Sequence, residues 1–182
     1  MKHTNRNAPA PGQEDGAQPA RSGGLLTGMQ EYRDAICQMI SGVEHSLLVF
    51  DNSLYDFGME SPRAAQEVSR LCARSRLSPC VRILLRKSAS LHENAPRLLR
   101  LMTLFGHSIE LRVMDSEYPL PASMHAPFVV GDQRSIVTRF HYESLRGKYL
   151  PHDTSVANRL TNRFEEHWNR AHRGPGVTTL GL

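Results

Sequence analysis

At 182 residues and 20.5 kDa, the chain has room for one domain with at most a tail. Hydrophobic residues at 40% and charged residues at 22% make an ordinary soluble mix. No run approaches the roughly 18 apolar residues of a membrane span, nor the roughly 7–15 of a secretory signal. Three cysteines, Cys37, Cys72 and Cys80, widely spaced and without a CxxC, exclude a disulfide framework and a zinc finger. A reducing, cytoplasmic setting is therefore expected. The net charge of +4 is uneven, because residues 61–100 hold nine basic groups against Glu67 and Glu93. The block Arg63, Arg70, Arg74, Arg76, Arg82, Arg86, Lys87, Arg97 and Arg100 either attracts phosphate-bearing ligands or nucleic acid, or forms the solvated faces of two helices and a strand. No aromatic residue lies between Arg63 and Arg100, so a base-stacking platform is not expected there.

Residues 1–24 are rich in Pro, Gly, Ala, Asn and Gln and read as a disordered tail or linker. The compact domain is expected over 25–174, with 175–182 as a C-terminal tail. Met29, Tyr32, Ile36, Met39, Ile40 and Val43 recur at helical spacing, with Gly42 near the end. Ser46–Asp51 (SLLVFD) reads as a buried strand. Ser61-Pro62 opens a helix as cap and first-turn proline, with Ala65, Val68, Leu71 and Cys72 on its inner face. CVRILL gives a second strand.

Ser90 with Glu93, or Asn94 before Pro96, is expected to cap a helix carrying Leu98, Leu99, Met102 and Phe105, stopping at Gly106. Ile109, Leu111 and Val113 alternate as a third strand. A Pro-containing loop from Asp115 to Met124 follows. Phe128–Val130 and Ser135–Phe140 then flank Gly131-Asp132-Gln133-Arg134 as a hairpin. The last helix opens at Asp153, carries Val156, Leu160, Phe164 and Trp168, and is expected to end at Gly174-Pro175. The fold class is α/β, a mixed β-sheet flanked by helices.

Most familiar chemical signatures are absent: no Gly-rich phosphate loop, no GxSxG turn, no HExxH helix. The nine histidines are scattered, and His167 and His172 stand five apart, off the spacing that puts two ligands on one helical face. No metal and no cofactor are expected.

One segment stands out, His125-Ala-Pro127-Phe-Val-Val-Gly-Asp132. It resembles the His-x-Lys-x4-Asp motif of the phospholipase D-like (HKD) superfamily, with proline at the lysine position. The order of elements extends the resemblance over Met29 to Ala171. RLCARSRLSPCVRILL resembles the family's helix-to-strand passage, LLRLMTLFGHSIELRV the element after it, and RLTNRFEEHW the closing helix. The resemblance implies a phospholipase D/nuclease-like single half.

In active members a motif histidine attacks phosphorus and a second, from another motif copy, protonates the leaving oxygen. The lysine and the asparagine of a following Gly-Ser-x-Asn stabilise the non-bridging oxygens. One motif copy implies a site completed across a homodimer. His125 and Asp132 are the catalytic candidates if the chain is active. The Gly-Ser-x-Asn falls at Arg139-Phe140-His141-Tyr142 and does not match. Arg139, His141 and Lys148 are the candidate phosphate-binding side chains, Arg139 for its bidentate fork. The leading expectation is a catalytically degenerate domain serving as a binding or interaction module. The alternatives are an active metal-independent phosphodiesterase or nuclease working as a homodimer through a His125 phosphohistidine, and an accessory domain of a separate catalytic partner. Tyr118, Leu120 and Met124, beside His125, are the expected dimer anchors.

Overall fold

The computed structural model describes residues 23–55, 58–89, 91–114 and 126–174. The expected dimer-anchor loop and His125 lie outside the described residues, as do most of the expected tails.

Helix α1 (Met29–Ser41) turns Tyr32, Ala35, Ile36, Met39 and Ile40 inward, as its spacing requires. Strand β2 (Leu47–Asp51) follows a short edge strand β1 (Gly24–Leu26) and is buried along its whole length. Both of its faces are covered, which explains an unbroken apolar run where a half-exposed strand would alternate. In α2 (Pro62–Arg74) the Ser61 hydroxyl accepts from the Ala64 N–H at 3.1 Å, so the expected cap forms. Ala64, Val68, Leu71 and Cys72 are buried there, while Ala65 is half-buried at the margin.

Strands β3 (Val81–Leu85) and β4 (Ile109–Val113) run parallel to β2. Between them lie a single turn, α3 (Leu91–Asn94), and helix α4 (Pro96–Leu104). Here the structure corrects the sequence reading. Ala95, not Asn94, occupies the cap position of α4, and it makes no side-chain cap. The orphan N–H groups of Arg97 and Leu98 instead donate to the Glu60 carboxylate at 3.0 and 3.2 Å, across 37 and 38 residues of sequence.

The hairpin β5 (Phe128–Gly131) and β6 (Ser135–Arg139) lies antiparallel beside β2. Its outer neighbour, β7 (Gly147–Leu150), pairs with β1, and neither outer strand was visible in the sequence pattern. Helix α5 (Thr154–Trp168) opens at Asp153, whose carboxylate accepts from the Val156 N–H at 2.9 Å. It ends at Trp168, five residues short of Arg173 and well before the expected Gly174-Pro175 stop. The chain instead turns into β8 (His172–Arg173), which satisfies the outer edge of β4. Gly174 lies so close to that edge that a β-carbon would meet Leu111 Cδ2 at 2.1 Å.

Among the described residues the eight strands form one mixed sheet in the order β1-β7-β6-β5-β2-β3-β4-β8. Alternation along each strand splits the core in two. Val49, Ile83, Leu111, Val129 and Val137 face α1, α2 and α4. Phe50, Leu84, Phe128, Val130 and Ile136 face α5, which contributes Ala157, Phe164 and Trp168. Phe164 and Trp168 stack at 5.2 Å under the guanidinium of Arg82, which pairs with Glu165 at 2.5 Å. No described helix is long and apolar enough to cross a membrane.

Candidate functional site

The hairpin that carries the motif has two ends, and they face opposite sides of the molecule. Gly131 pairs with Leu47 at the start of β2, whereas Phe128 pairs with Phe50 near its finish. Asp132 therefore sits at the entry end of the parallel strands. Pro127 and Arg139 sit at their exit end, where the loops after β2, β3 and β6 gather.

At the entry end, Asp132 and Gln133 both adopt left-handed backbone, φ 48° and 55°, as central residues of the turn that the Arg134 N–H closes on the Gly131 carbonyl at 3.1 Å. The Asp132 carboxylate accepts three backbone N–H groups, from Glu44, His45 and Ser46, each at 2.9 Å. Burial alone would raise its carboxyl. The three N–H dipoles outweigh burial and hold it below the ordinary aspartate value. Asp132 thus ties the hairpin turn to the segment joining α1 to β2.

At the exit end, Pro127 is buried, and its carbonyl accepts the Arg139 N–H at 3.0 Å and the Thr138 hydroxyl at 3.1 Å. Arg139 is only 4% exposed. Its Nε donates to the Ser144 carbonyl at 2.8 Å and an Nη to the Tyr142 carbonyl, and the guanidinium lies 5.6 Å from the Tyr32 ring. The fork expected for phosphate closes the 140–146 loop. His141 is exposed on that loop, with Nδ1 accepting from the Glu143 N–H at 3.4 Å. Lys148 is exposed on β7 and pairs with Thr138. The register puts Lys148 on the α5 face with Ile136 and Leu150, and Arg139 on the α1 face with Val137 and Tyr149. The structure brings Arg139 and His141 into one loop, sets Lys148 on the opposite face, and leaves Asp132 at the far end of the hairpin.

Sequence reasoning passed over two features. Asp51 ends β2 at the exit end as a buried carboxylate, 6% exposed, accepting from the Asn52 and Leu54 N–H groups at 2.8 and 3.0 Å. An aspartate closing an apolar strand was its only trace in the sequence. The second feature is an open groove of about 820 Å³ at the entry end, lined by Glu44 and His45 from the segment Asp132 holds and by Glu67, Arg70, Arg74 and Arg76 from α2 and the loop after it. Arg70 pairs with Glu67 at 2.7 Å and donates to the carbonyls of Ile40, Ser41 and Val43 at the end of α1. Arg74 and Arg76 are exposed and make no side-chain hydrogen bond or ion pair among the described residues.

The basic block is thus not one stripe. Arg82 points to α5, Arg70 and Arg97 are engaged, and Arg74 with Arg76 form a separate pair of free cations beside His45. No cluster of three or more metal-ligating side chains occurs among the described residues.

A family model described as "Domain of unknown function (DUF7931)" matches residues 28–180. The chain belongs to this family. None of the curated proteins matches the DUF7931 chain. Among solved structures it is similar to TrmBL2, an archaeal chromatin protein whose structure shows a novel mode of DNA binding. That match has 14% identity and a TM-score of 0.62, over 88% of this chain and 57% of TrmBL2. It is also similar to Nuc from Salmonella typhimurium, a phospholipase D family member, at 14% identity and TM-score 0.58, over 84% of this chain and 99% of Nuc. NucT from Helicobacter pylori matches at 12% identity and TM-score 0.60, over 84% and 99%. The DUF7931 chain therefore spans little more than half of TrmBL2 and nearly all of Nuc and NucT. Its fold is phospholipase D-like, a mixed sheet flanked by helices, as the order of elements implied.

Proposed function

We propose that this chain is a catalytically degenerate phospholipase D-like domain that binds a phosphate-bearing partner, nucleic acid foremost, without cleaving it. The observation that carries the reading is at position 127. The lysine of the resembled motif is replaced by a buried proline, which has no side-chain donor. The nearest substitute, Arg139, directs its donors to the Ser144 and Tyr142 carbonyls. The family's asparagine position is Tyr142. Losing one preorganised oxyanion donor costs on the order of 10²–10³ in rate, so losing two leaves little turnover. Binding needs less: exposed cations beside a groove suffice to hold phosphates. Arg74 and Arg76 supply them, and the DNA binding named for TrmBL2 supports a nucleic-acid partner.

The test is fluorescence anisotropy of a short labelled duplex titrated across a salt series, alongside turnover of a generic phosphodiester. The expected result is salt-sensitive binding without turnover. Arg74→Ala with Arg76→Ala should flatten the plot of log affinity against log salt by about 0.9 for each phosphate that is no longer neutralised. An unchanged slope removes the groove from the reading. Metal-independent cleavage abolished by His125→Ala overturns the degenerate reading in favour of the active phosphodiesterase.

A second copy of the chain belongs to the same proposal, on a separate observation. Of the seven large hydrophobic side chains that stand exposed among the described residues, Phe140, Tyr142 and Leu145 share the one loop that Arg139 closes. That loop lies at the exit end, where single-motif pairing would bring two copies together.

A further inference from the structure

We propose that Cys72 and Cys80 are a reversible oxidation site that forms an intramolecular disulfide between the last turn of α2 and the residue before β3. The two sulfurs already lie 4.0 Å apart. A disulfide needs about 2.05 Å, so the pair must close by about 2 Å. Cys80 is the fixed partner, since its N–H donates to the Ser108 carbonyl at 2.9 Å and its own carbonyl accepts the Leu47 N–H at 2.8 Å. Cys72 is on the last full turn of α2, beside the largely exposed loop 75–78, and closure requires that helix end to shift toward Cys80. Cys37 cannot compete. Its sulfur sits 3.6 Å from the Ser61 hydroxyl at the opposite end of α2, eleven residues from Cys72, or about 16 Å at the helical rise.

The hydrogen bond between the two sulfurs couples their ionisations, so that one is favoured as thiolate while the other keeps its proton. The thiolate attacks and the remaining thiol resolves. With a hydroperoxide as oxidant, the thiolate attacks one peroxide oxygen and the O–O bond breaks. With hydrogen peroxide this gives a sulfenic acid and releases hydroxide. The remaining thiol sulfur then attacks the sulfenic sulfur, the S–O bond breaks, and water leaves with the thiol proton. Two electrons pass from the thiol pair to the peroxide. Both thiols are buried, Cys72 at 7% and Cys80 at 1% exposure, so the oxidant must be as small as hydrogen peroxide.

The sequence supplies its own mapping handle. Trypsin cuts at Arg70, Arg74, Arg76 and Arg82, releasing Leu71–Arg74 with Cys72 and Leu77–Arg82 with Cys80 as separate peptides. The folded full-length protein is treated with hydrogen peroxide, its free thiols are alkylated, and it is digested without reductant. The expected product is those two peptides joined, two hydrogens lighter than their sum, separated again by dithiothreitol, with Cys37 alkylated. In Cys72→Ser and in Cys80→Ser the joined peptides should be lost, and the oxidised remaining cysteine should collect as sulfenic and higher acids for want of a resolving thiol. Cross-links through Cys37, links between chains, or a Cys72–Cys80 pair fully alkylated after peroxide would each overturn the assignment. The wild-type peptide map decides the pairing even if a serine variant fails to fold.

Discussion

Asp132 is the residue whose motif position suggests catalysis and whose surroundings give it a structural task. Three charge-assisted backbone hydrogen bonds hold residues 44–46 against the hairpin turn. Replacing Asp132 with Ala leaves three N–H groups without that acceptor and should cost about 2–3 kcal/mol in urea unfolding. Because its folded carboxyl titrates below the ordinary aspartate value, the stabilisation is complete above the unfolded value of about 3.9. It is lost as pH falls through the lower folded value. The stability gap between wild type and Asp132→Asn should therefore be widest near neutral pH and narrow below about pH 4, and a gap that is flat with pH would contradict the charge assignment. Its neighbour Gln133 offers a change of opposite sign. At φ 55° a side chain is strained, and Gln133→Gly should raise stability by up to about 1 kcal/mol in the same assay.

The elements show where local signals suffice and where they fail. Ser61 and Asp153 were legible as caps because each satisfies an N–H three residues ahead in its own helix. The α4 start was misread because Glu60 reaches its N–H groups from another part of the chain, and no local pattern encodes that. The two readings predict different variants. Glu60→Ala should cost about 1–2 kcal/mol of stability, and Asn94→Ala should be nearly neutral. Equal losses in thermal unfolding would restore Asn94 as the cap. The central strands were legible because continuous apolar runs mark burial on both faces. β1, β7 and β8 escaped because two to four residues are too few to show a period.

At the scale of the whole molecule, the motif was legible and its geometry was not. Pro127 and Asp132 look like neighbours in a sequence, but β5 between them separates its ends by about 3.3 Å per residue and sets them at opposite ends of the sheet. The groove was invisible because α1, the start of β2 and the end of α2 meet there only after folding. The same non-local logic bears on the proposed pairing of two copies. Phe140 and Leu145 are each 52% exposed and Tyr142 is 38% exposed, on a loop stiffened by the Arg139 bonds. A closed loop loses little entropy on docking, and clustered aromatic and aliphatic side chains are the usual anchors of an interface core. A twofold contact there should bury more than about 1,000 Å² in total, the range of specific interfaces. Light scattering at micromolar concentration should then return about twice the 20.5 kDa chain mass. Phe140→Ser with Leu145→Ser should return the single-chain mass without loss of thermal stability, since neither side chain enters the core. A wild-type mass of 20.5 kDa would remove the pairing, and with it any site completed across two copies. It would leave the proposed DNA binding by the Arg74 and Arg76 groove untouched, because that groove opens at the other end of the sheet.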